Sequence, residues 1–343
     1  MPTAVPGSTR AMEPRDVVVV GGSAGCIEPL KQLVRSLPAD LPASVLVTVH
    51  IGARSLLPQI LARAGPLPAA HAVDGEPLLP GRIYVAPPRR HLLVAGGKIS
   101  LSSGPRVNRS RPAVDAMFAS AARWLGDRVV TVVLSGLLDD GAVGAALVAQ
   151  AGGLVTAQDP AEAEQPSMPL AALAAAPGAV AAPATQLANV VSEMLGESGL
   201  AKWPHARPDE LPEKSMEESS DLQFLAEEES RLTRLACPEC GGALAERELP
   251  RITSYRCHVG HEFGPQSLAA AQAESAEGTL WAAVATLEET AALARHLAVH
   301  APAGEDTERT HRRTADWAAE LAESLRVEIG DSRIPTAGRQ ERQ

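Results

Sequence analysis

Four consecutive valines, Val17–Val20, run directly into the sequence Gly-Gly-Ser-Ala-Gly at positions 21–25. A continuous β-branched run of this kind predicts a strand that is buried on both faces. The segment after the glycines, Ile27–Ser36, has apolar residues at helical spacing. Because a strand, a tight glycine turn and a helix together begin a βαβ unit, we expect the chain to build an open, parallel α/β sheet.

The alternation of apolar runs with helical segments continues to about Met194, which predicts several βαβ units in one domain. The segments that follow the first helix are, in chain order, a strand at Val45–Ile51, a helix at Leu56–Ala64, short strands at Arg82–Ala86, Leu92–Ala95 and Lys98–Leu101, a helix at Ala113–Trp124, a strand at Val129–Leu134, a helix at Ala142–Ala151 and strands near Leu154 and Val180. Pro-Pro and Gly-Gly pairs separate the three short strands, which favours an antiparallel excursion there. The expected fold class is α/β, with a doubly wound and mainly parallel sheet.

Length and composition divide the chain further. With 343 residues it is too long for a single core of ordinary size. The predicted parts are a disordered leader at 1–15, the α/β domain at 16–198, an acidic linker at 199–233, a cysteine-rich knob at 234–265, a helical hairpin at 266–329 and a disordered tail at 330–343. We therefore expect one large domain followed by two small C-terminal parts.

Charge and hydropathy exclude several classes of function. The formal net charge is -10 and no basic face is evident, which argues against binding to nucleic acid. The N-terminal segment lacks the apolar core of a secretory signal. The most apolar later stretch, Leu170–Val191, is interrupted by Pro177 and Pro183, so membrane insertion is not expected. These features predict a soluble, cytoplasmic protein.

The glycine-serine turn has two interpretations. A strand-to-helix turn with the sequence G-x-S-x-G lifts the hydroxyl of Ser23 out of the sheet, and the helix N-terminus offers N–H groups to an oxyanion. The same kind of turn is also typical of a loop that holds a phosphate. The dinucleotide fingerprint G-x-G-x-x-G does not fit here, because position 26 is Cys26. The turn by itself supports a nucleophilic serine and a phosphate loop equally.

Two further predicted strands end in residues that could complete a catalytic group. His50 follows the second strand, and Asp139 and Asp140 follow the strand at Val129–Leu134. Because parallel strands bring their carboxyl ends to one edge of the sheet, we expect Ser23, His50 and a carboxylate to meet there. A neutral imidazole can accept the serine proton, and a carboxylate behind it fixes its tautomer. A lone histidine is more often structural, however, and Asp-Gly is common in turns, so the residues alone do not choose between Asp139 and Asp140.

Six segments, in the same order, resemble the catalytic domain of the chemotaxis protein-glutamate methylesterases, the CheB family, over roughly residues 16–195. The matching segments are the serine turn at 21–25, His50, the segment 81–88 with His91, the segment 111–115, the loop 135–141, and the run 151–159 with Met168 and Pro169. Several ordered segments are far more specific than one short motif. By this resemblance, the domain is expected to have the fold of the CheB catalytic domain.

The resemblance also implies functional residues and a reaction. Ser23, His50 and Asp140 would form the catalytic triad, and the backbone N–H groups of Ala24 and Leu137 would form the oxyanion hole. The substrate would be a glutamate γ-methyl ester on a methyl-accepting chemotaxis receptor, hydrolysed through a γ-glutamyl-enzyme without a cofactor. Some relatives also deamidate glutamine, so this second activity belongs to the expectation.

Several positions depart from the family pattern. Gly22 replaces the common alanine before the serine, Cys26 replaces the usual glycine after the turn, and Leu137 replaces the usual methionine of the aspartate loop. None of these changes removes a triad atom, although Cys26 puts the fit of the substrate in question. About 15 residues precede the first strand, too few for a receiver domain, so control by phosphorylation within this chain is not expected.

Three of the four cysteines lie close together in the C-terminal third, as a C-x-x-C pair at Cys237 and Cys240 followed by Cys257. With one histidine they supply the four ligands of a tetrahedral zinc site. Because adjacent residues seldom reach one metal, whereas C-x-x-x-H can turn back at a glycine, we favour His261 over His258. The expected zinc is structural, since four protein ligands leave no position for water. Reduced thiols in a small core are the alternative.

Two proline-free segments, Ser267–Val299 and Thr307–Val327, predict an antiparallel helical hairpin. The apolar positions at helical spacing are Leu280, Ala283, Leu287 and Leu293. Trp281 and Trp317 are interpreted first as packing residues within the hairpin. Docking of a receptor or a chemosensory signalling protein is the second interpretation. The knob followed by helices also resembles a C-terminal extension found on some CheB-like proteins.

Two functions of other classes stand beside the methylesterase. In the first, the esterase-like domain is catalytically inactive and the chain is a signalling adaptor that acts through the zinc knob and the helices. In the second, the loop at 21–25 binds a nucleotide, although no acidic residue stands at a convincing place to bind the ribose. The methylesterase is the favoured prediction.

Overall fold

The computed structural model of the protein describes residues 14–50, 55–196, 230–300 and 305–331. The chain divides into two compact units, Met1–Leu268 and Ala269–Gln343. Most of the predicted leader, acidic linker and tail lies outside the described residues, as does Ile51 at the end of the second predicted strand.

The first unit contains a seven-stranded, entirely parallel sheet flanked by helices. Its elements up to residue 196 are, in chain order, β1 (Val17–Gly22), α1 (Ile27–Ser36), β2 (Ser44–Val49), α2 (Leu57–Ala64), β3 (Ala69–His71), β4 (Ile83–Val85), β5 (His91–Ala95), β6 (Lys98–Ser102), α3 (Val114–Leu125), β7 (Val129–Val133), α4 (Ala142–Gln150), β8 (Leu154–Gln158), α5 (Ser167–Ala175), β9 (Val180–Ala182) and α6 (Leu187–Gly196). The strand order is β3-β4-β2-β1-β7-β8-β9, and each neighbouring pair is parallel. The sheet extends in both directions from β1, so the predicted doubly wound α/β fold is confirmed.

Alternating side chains of the strands build a core on each face of the sheet. In β1, Val18 and Val20 join the core formed with α1, α2 and α6, whereas Val17 and Val19 join the core formed with α3, α4 and α5. Each of these valines is at most 1% exposed. The valine run is required because β1 lies at the centre of the sheet and is covered on both faces.

The middle of the chain differs from the expectation. The segment Arg82–Ala86 is predicted to join an antiparallel excursion, but β4 lies parallel between β2 and β3 in the main sheet. All residues of β4 are buried, as is typical of an internal parallel strand. Strand β3 has three half-buried residues, too few for a period to appear in the sequence. In this region β5 and β6 form an antiparallel hairpin, and an isolated antiparallel bridge joins Pro77 to Lys98.

Residues 230–264 form a small antiparallel sheet, which we call the cysteine module. Its strands are β10 (Arg231–Ala236), β11 (Ala243–Glu248), β12 (Thr253–Cys257) and β13 (Glu262–Phe263), paired in that order. The module begins earlier than the predicted boundary at 234, because β10 pairs with β11. Leu249 and Ile252 of the module pack against Ala142, Ala146 and Ala175 of α4 and α5. The predicted knob is therefore docked on the α/β domain.

Two long helices complete the described chain: α7 (Pro265–His300) and α8 (Glu305–Asp331). Their buried positions in the second unit are mostly small residues: Ala271, Val284, Ala291, Ala294 and Ala298 of α7, and Ala315, Ala318 and Ala322 of α8. The predicted apolar positions Leu280 and Leu293 are exposed, and Trp281 and Trp317 are 43% and 57% exposed. The prediction that both tryptophans pack in the core of the hairpin is wrong, because both side chains are exposed and the buried positions are taken mostly by alanines. Among the described helices, none is both long and apolar enough to cross a membrane.

Gly144 of α4 tests the close packing of the α/β domain. A Cβ atom at this position would lie 2.4 Å from the Cβ of Phe118 in α3. We expect Gly144→Ala to lower the free energy of unfolding by about 1 to 3 kcal/mol, because overpacking forces the helices apart. Gly196→Ala is the matched control, since no atom lies within 4 Å of a Cβ there. Urea unfolding followed by circular dichroism measures both, and equal stability of the two variants would contradict the packing.

Candidate active site

Ser23 lies in the tight turn between β1 and α1, at the carboxyl edge of the sheet. Gly25 has a φ of 77°, a backbone conformation that glycine adopts without strain. The Ser23 N–H donates to the Ser135 carbonyl at 2.9 Å, and the Ser135 hydroxyl donates to the Ala24 carbonyl at 2.8 Å. Because these bonds tie the turn to the loop after β7, the serine hydroxyl is held in place at the edge of the sheet.

His50 follows β2 and joins Ser23 to Asp140. Its Nδ1 lies 3.1 Å from the Ser23 Oγ, and its Nε2 lies 2.6 Å from the Asp140 Oδ2. The strands β2 and β7, which these two residues follow, lie on either side of β1. The ends of three adjacent strands therefore bring the predicted serine, histidine and aspartate into one chain of hydrogen bonds, which we call the candidate triad.

The direction of these bonds suits proton transfer. Because an ionised carboxylate only accepts hydrogen bonds, the Nε2 of His50 carries the proton that faces Asp140. The Nδ1 then has a lone pair that can accept the proton of the Ser23 hydroxyl. The side chain of His50 is 24% exposed, whereas that of Asp140 is 2% exposed. The histidine ring is therefore partly accessible, and the carboxylate behind it is shielded from water.

Several donors hold the buried carboxylate of Asp140. Its Oδ2 also accepts the Val114 N–H at 2.8 Å, and its Oδ1 accepts the Asp115 N–H at 3.0 Å and the Asn108 Nδ2 at 2.8 Å. Val114 and Asp115 begin α3, so the positive end of that helix faces the carboxylate. Burial raises the pKa of Asp140, but the hydrogen bond and charge of His50 and the two N–H groups outweigh it, so the pKa lies below its usual value. The carboxylate therefore stays ionised.

Asp139, the alternative carboxylate, caps a different helix. Its Oδ2 accepts the Gln266 N–H at 2.8 Å, and its Oδ1 accepts the Ser267 N–H at 3.0 Å and the Ser267 hydroxyl. Gln266 and Ser267 lie in the first turn of α7. Burial raises the pKa of Asp139, and these hydrogen bonds offset part of the effect. Of the two adjacent aspartates, it is Asp140 that reaches His50.

The expected oxyanion donors, the N–H groups of Ala24 and Leu137, lie in the serine turn and in the loop after β7. Neither donates a hydrogen bond to another group within the described part of the chain. Gly136 comes so close to the serine that a Cβ there would lie 3.0 Å from the Ser23 Cβ. Its N–H donates to the Gln165 carbonyl at 2.9 Å, which holds the loop beside the serine. Neither of the two expected donors is thus engaged in another hydrogen bond of the described residues.

A cavity of about 430 Å³ opens beside His50. Four arginines line it, namely Arg89, Arg106, Arg109 and Arg111. The Arg111 guanidinium donates to two backbone carbonyls at 2.6 Å each, and Arg109 pairs with Glu239 of the cysteine module at 3.6 Å. In a chain with a net charge of -10, this concentration of positive charge creates a local attraction for anionic groups.

His91, the other histidine of the resemblance, supports a loop and does not contact the serine. It is fully buried, and its Nε2 donates to the Pro105 carbonyl at 3.0 Å. Burial lowers the pKa of His91 to about 4, so the ring is neutral at neutral pH. This hydrogen bond holds the start of the segment 105–112, which supplies three of the arginines of the cavity.

Cys26, which put the fit of the substrate in question, does not line the cavity. Its side chain is fully buried against Gly22, where an added Cβ would lie 2.6 Å from the Cys26 Cβ. Burial raises the pKa of its thiol to about 12, so the group is unreactive at neutral pH. The two departures from the family pattern compensate each other, because the smaller residue at 22 leaves room for the larger one at 26.

Four potential metal ligands converge in the cysteine module: one ligand atom each of Cys237, Cys240, Cys257 and His261, all within 4.8 Å of one another. The Cys240 and Cys257 Sγ atoms lie 3.6 Å apart, and the His261 Nδ1 lies 3.6 Å from the Cys257 Sγ and 3.8 Å from the Cys237 Sγ. Tetrahedral zinc with ordinary bond lengths would place sulfurs about 3.8 Å apart and sulfur and nitrogen about 3.6 Å apart. The four residues therefore fit zinc, whereas His258 is exposed and lies outside the group.

The sequence reasoning missed the polar residues around Asp140. The Asn108 Nδ2 donates to the Asp115 Oδ2 at 2.7 Å, and the Asp115 Oδ1 accepts the Gly144 N–H at 2.7 Å. Burial, and then the charge of Asp140, raises the pKa of Asp115. Asp115 lies in a segment of the family resemblance, which is a signal for it. Asn108 lies in a polar loop without any pattern that would single it out.

A parallel α/β sheet that joins a serine, a histidine and an aspartate at its carboxyl edge is an arrangement of serine hydrolases. The chain belongs to the CheB methylesterase family, whose model matches residues 18–191. The predicted family is therefore confirmed.

Individual relatives have names that agree with this family. A Caulobacter vibrioides protein named protein-glutamate methylesterase/protein-glutamine glutaminase 2 is 42% identical over 165 residues, 46% of this chain and 48% of that protein. A Leptospira interrogans protein, provisionally given the same double name, is 37% identical over 163 residues, 47% of this chain and 84% of that protein. The crystal structure of the Thermotoga maritima CheB methylesterase catalytic domain aligns with a TM-score of 0.49 and 30% identity, over 53% of this chain and 97% of that chain. This chain spans about half the length of the Caulobacter relative.

The titration of His91 is expected to affect the stability of the first unit. Its pKa of about 4 in the folded protein lies below the ordinary value of 6.5, so the unfolded chain binds the proton more tightly. The contribution of neutral His91 is complete above pH 6.5 and is lost as the pH falls through 4, with about 2 kcal/mol lost between pH 7 and pH 5. Urea unfolding at both pH values should show a smaller loss in His91→Gln than in the wild type. Equal losses would contradict the buried, neutral state.

Proposed function

We propose that this chain is a protein-glutamate methylesterase, in which Ser23 is the nucleophile, His50 the general base and acid, and Asp140 the carboxylate that orients His50. The observation that carries the proposal is the chain of hydrogen bonds from the Ser23 Oγ through His50 to the Asp140 Oδ2, at 3.1 and 2.6 Å. A loop that only holds a phosphate has no need of a histidine bonded to its serine, which favours the nucleophile over the nucleotide site. The names of the relatives support the same reaction.

In the first half-reaction, the Ser23 Oγ attacks the γ-carbonyl carbon of a glutamate methyl ester while the hydroxyl proton moves to the His50 Nδ1. The carbonyl oxygen becomes an oxyanion, for which the N–H groups of Ala24 and Leu137 are the proposed donors. The C–O bond to the methoxy group then breaks, and Nδ1 returns its proton to the leaving oxygen. Methanol departs, and the glutamyl group remains on Ser23 as an ester.

In the second half-reaction, water takes the place of methanol. His50 Nδ1 removes a proton from the water as its oxygen attacks the glutamyl ester. As the intermediate collapses, the bond between the carbonyl carbon and the Ser23 Oγ breaks, and Nδ1 passes its proton to Oγ, which releases glutamate and restores the Ser23 hydroxyl. Asp140 remains ionised and stabilises the imidazolium in both halves. With a glutamine side chain the same steps release ammonia, so we include deamidation in the proposal. All reacting groups come from the chain itself, and no cofactor is proposed for catalysis.

The arginine-lined cavity supports an acidic protein as the substrate. A segment that carries methylated glutamates also carries free carboxylates wherever methylation is incomplete, and guanidinium groups bind carboxylates well. Together with membership of the family, this supports methyl-accepting chemotaxis receptors as the substrates and their methylated glutamates as the target. Such a substrate, and thiols that must stay reduced to bind metal, fit a cytoplasmic location.

We also propose that Cys237, Cys240, Cys257 and His261 hold a zinc ion. A complete set of protein ligands leaves no position for water or substrate, so the ion is structural and supplies no chemistry to the ester hydrolysis. The cysteine module is small, and few of its apolar side chains are fully buried, among them Leu244 and Phe263. A unit with so small a core needs a cross-link of this kind to fold.

Replacement of Ser23 tests the catalytic proposal. We expect Ser23→Ala to reduce kcat for methanol release from a methylated receptor by about 10⁴-fold or more, because no other group replaces the nucleophile. The matched control is Ser36→Ala, an exposed position at the end of α1 that should keep full activity. Thermal unfolding should be alike in both variants. Residual activity of Ser23→Ala close to that of the control would overturn the assignment and favour an inactive adaptor.

The two histidines near the cysteines test the metal proposal. The wild-type protein should retain one zinc per chain after dialysis, as measured by atomic emission. His261→Ala should lose the metal and lower the thermal stability of the first unit, because a ligand is missing. His258→Ala should keep the metal, since that side chain is exposed and outside the ligand group. Equal zinc content in the two variants would be incompatible with the proposed site.

A further inference from the structure

Asn108 connects the cysteine module to the candidate triad. Its backbone N–H donates to the Glu262 carbonyl at 2.8 Å, and its Oδ1 accepts the Gly264 N–H at 2.8 Å. Its Nδ2 donates to the Asp140 Oδ1 at 2.8 Å and to the Asp115 Oδ2 at 2.7 Å. One buried side chain therefore contacts both the module and the carboxylate that holds His50.

The position of Asn108 requires the chemistry of an amide. The residue is 8% exposed and has a φ of 50°, in the left-handed region that asparagine tolerates better than most residues. An amide offers two N–H donors and one carbonyl oxygen, and all of these are used here. Aspartate would keep an oxygen for Gly264 but would place a second acceptor against Asp140 and Asp115. This substitution would break one side of the connection and leave the other intact.

The cysteine module also holds the loop that carries Asn108. Val107 pairs with Glu262 in a parallel bridge, and the Arg106 carbonyl accepts the Glu262 N–H at 3.4 Å. On the other side of Asn108, Arg109 pairs with Glu239 at 3.6 Å. Any displacement of β13 would therefore displace the loop and the amide with it.

The segment that follows β13 makes a second contact, with Asp139, the residue before Asp140. The Asp139 carboxylate accepts the N–H groups of Gln266 and Ser267, which come after Gly264 and Pro265 beyond the end of β13. Gly264 lies so close that a Cβ there would stand 2.5 Å from the Asp139 Oδ2. Both aspartates of the loop after β7 are thus linked to the segment 262–267, which begins directly after the potential metal ligand His261.

We propose that Asn108 is a positioning residue that couples the metal-bound cysteine module to Asp140, so that occupancy of the metal site sets the activity of the esterase site. This inference rests on the proposed function and on the proposed metal. Ligation of both Cys257 and His261 closes the turn between them, which ends at β13 and is bridged by the Cys257 N–H and the His261 carbonyl at 3.0 Å. With β13 fixed, the Asn108 Nδ2 points at Asp140.

If β13 is no longer held in place, the Asn108 amide is displaced and the electrostatic environment of Asp140 changes. Without the Asn108 Nδ2, the Asp140 Oδ1 keeps the Asp115 N–H but loses the donor that separates it from the Asp115 carboxylate. Two carboxylates in one buried site repel each other, so Asp140 becomes easier to protonate and a poorer partner for His50. The histidine then loses both its tautomer and its orientation toward Ser23.

The first arm of the test uses Asn108→Asp in the full, zinc-loaded chain, with Asn189→Asp on the exposed face of α6 as the matched control. We expect kcat of Asn108→Asp to fall about 10- to 100-fold with little change in KM, because the serine and the cavity are untouched. The acid limb of its pH profile should move to higher pH. The strongly deshielded proton NMR signal of the bond between His50 and Asp140 should shift, and zinc content should stay at the wild-type value. A wild-type profile and signal would overturn the coupling.

The second arm removes zinc from the wild type with a chelator. We expect the same NMR shift and a similar loss of kcat, both restored by adding zinc. In Asn108→Asp the module and Asp140 are already uncoupled, so removal of zinc should lower kcat of this variant little further. Full kcat and an unchanged signal in the metal-free wild type would contradict the proposal. If the metal-free chain unfolds, the zinc-loaded first arm decides. Absence of methyl ester hydrolysis in the zinc-loaded wild type would contradict the proposed function instead, and the NMR signal would still report on the coupling.

Discussion

The ionised carboxylate of Asp140 has left water almost completely, since the residue is 2% exposed. Burying a charge in this way is costly unless donors replace the lost water. His50, two N–H groups at the start of α3 and the Asn108 amide supply those donors. They come from three separate parts of the chain, and each is held in turn by its own packing. The positions of β2, α3 and the loop before α3 are thus linked, because all three must supply hydrogen-bond donors to the Asp140 carboxylate.

Much of the α/β domain could be predicted from the sequence because its signals are local. The valine run of β1, the glycines of the turn and the apolar spacing of α1 all lie within 20 residues, and the structure places both elements as expected. The convergence of Ser23, His50 and Asp140 at one edge follows from a general property of parallel sheets. The strand β3 and the parallel placement of β4 depend on pairing between distant segments, which the hydrophobic periodicity of a single short segment does not indicate.

The remaining differences come from tertiary contacts. Asp139 and Asp140 are equivalent in the sequence, but Asp139 caps a helix that starts more than a hundred residues later, and Asp140 reaches a histidine that follows β2, on the far side of β1. Asn108 is a polar residue in a loop until the fold places a carboxylate on one side and the cysteine module on the other. Trp281 and Trp317 are exposed although they are large and apolar, because the buried positions of those helices are occupied mostly by alanines.

The orientation of the His50 ring makes its two nitrogens chemically different. Nδ1, next to the ring carbon that bears the side chain, faces the serine, and Nε2 at the tip of the ring points into the protein. In free histidine the tip nitrogen is the less crowded and is the usual site of alkylation. Here that nitrogen is covered by a carboxylate 2.6 Å away, and the hindered one faces the Ser23 hydroxyl at 3.1 Å. An electrophile that binds in place of the ester would therefore alkylate Nδ1. Identifying which ring nitrogen is alkylated would show how the ring is oriented in the folded protein.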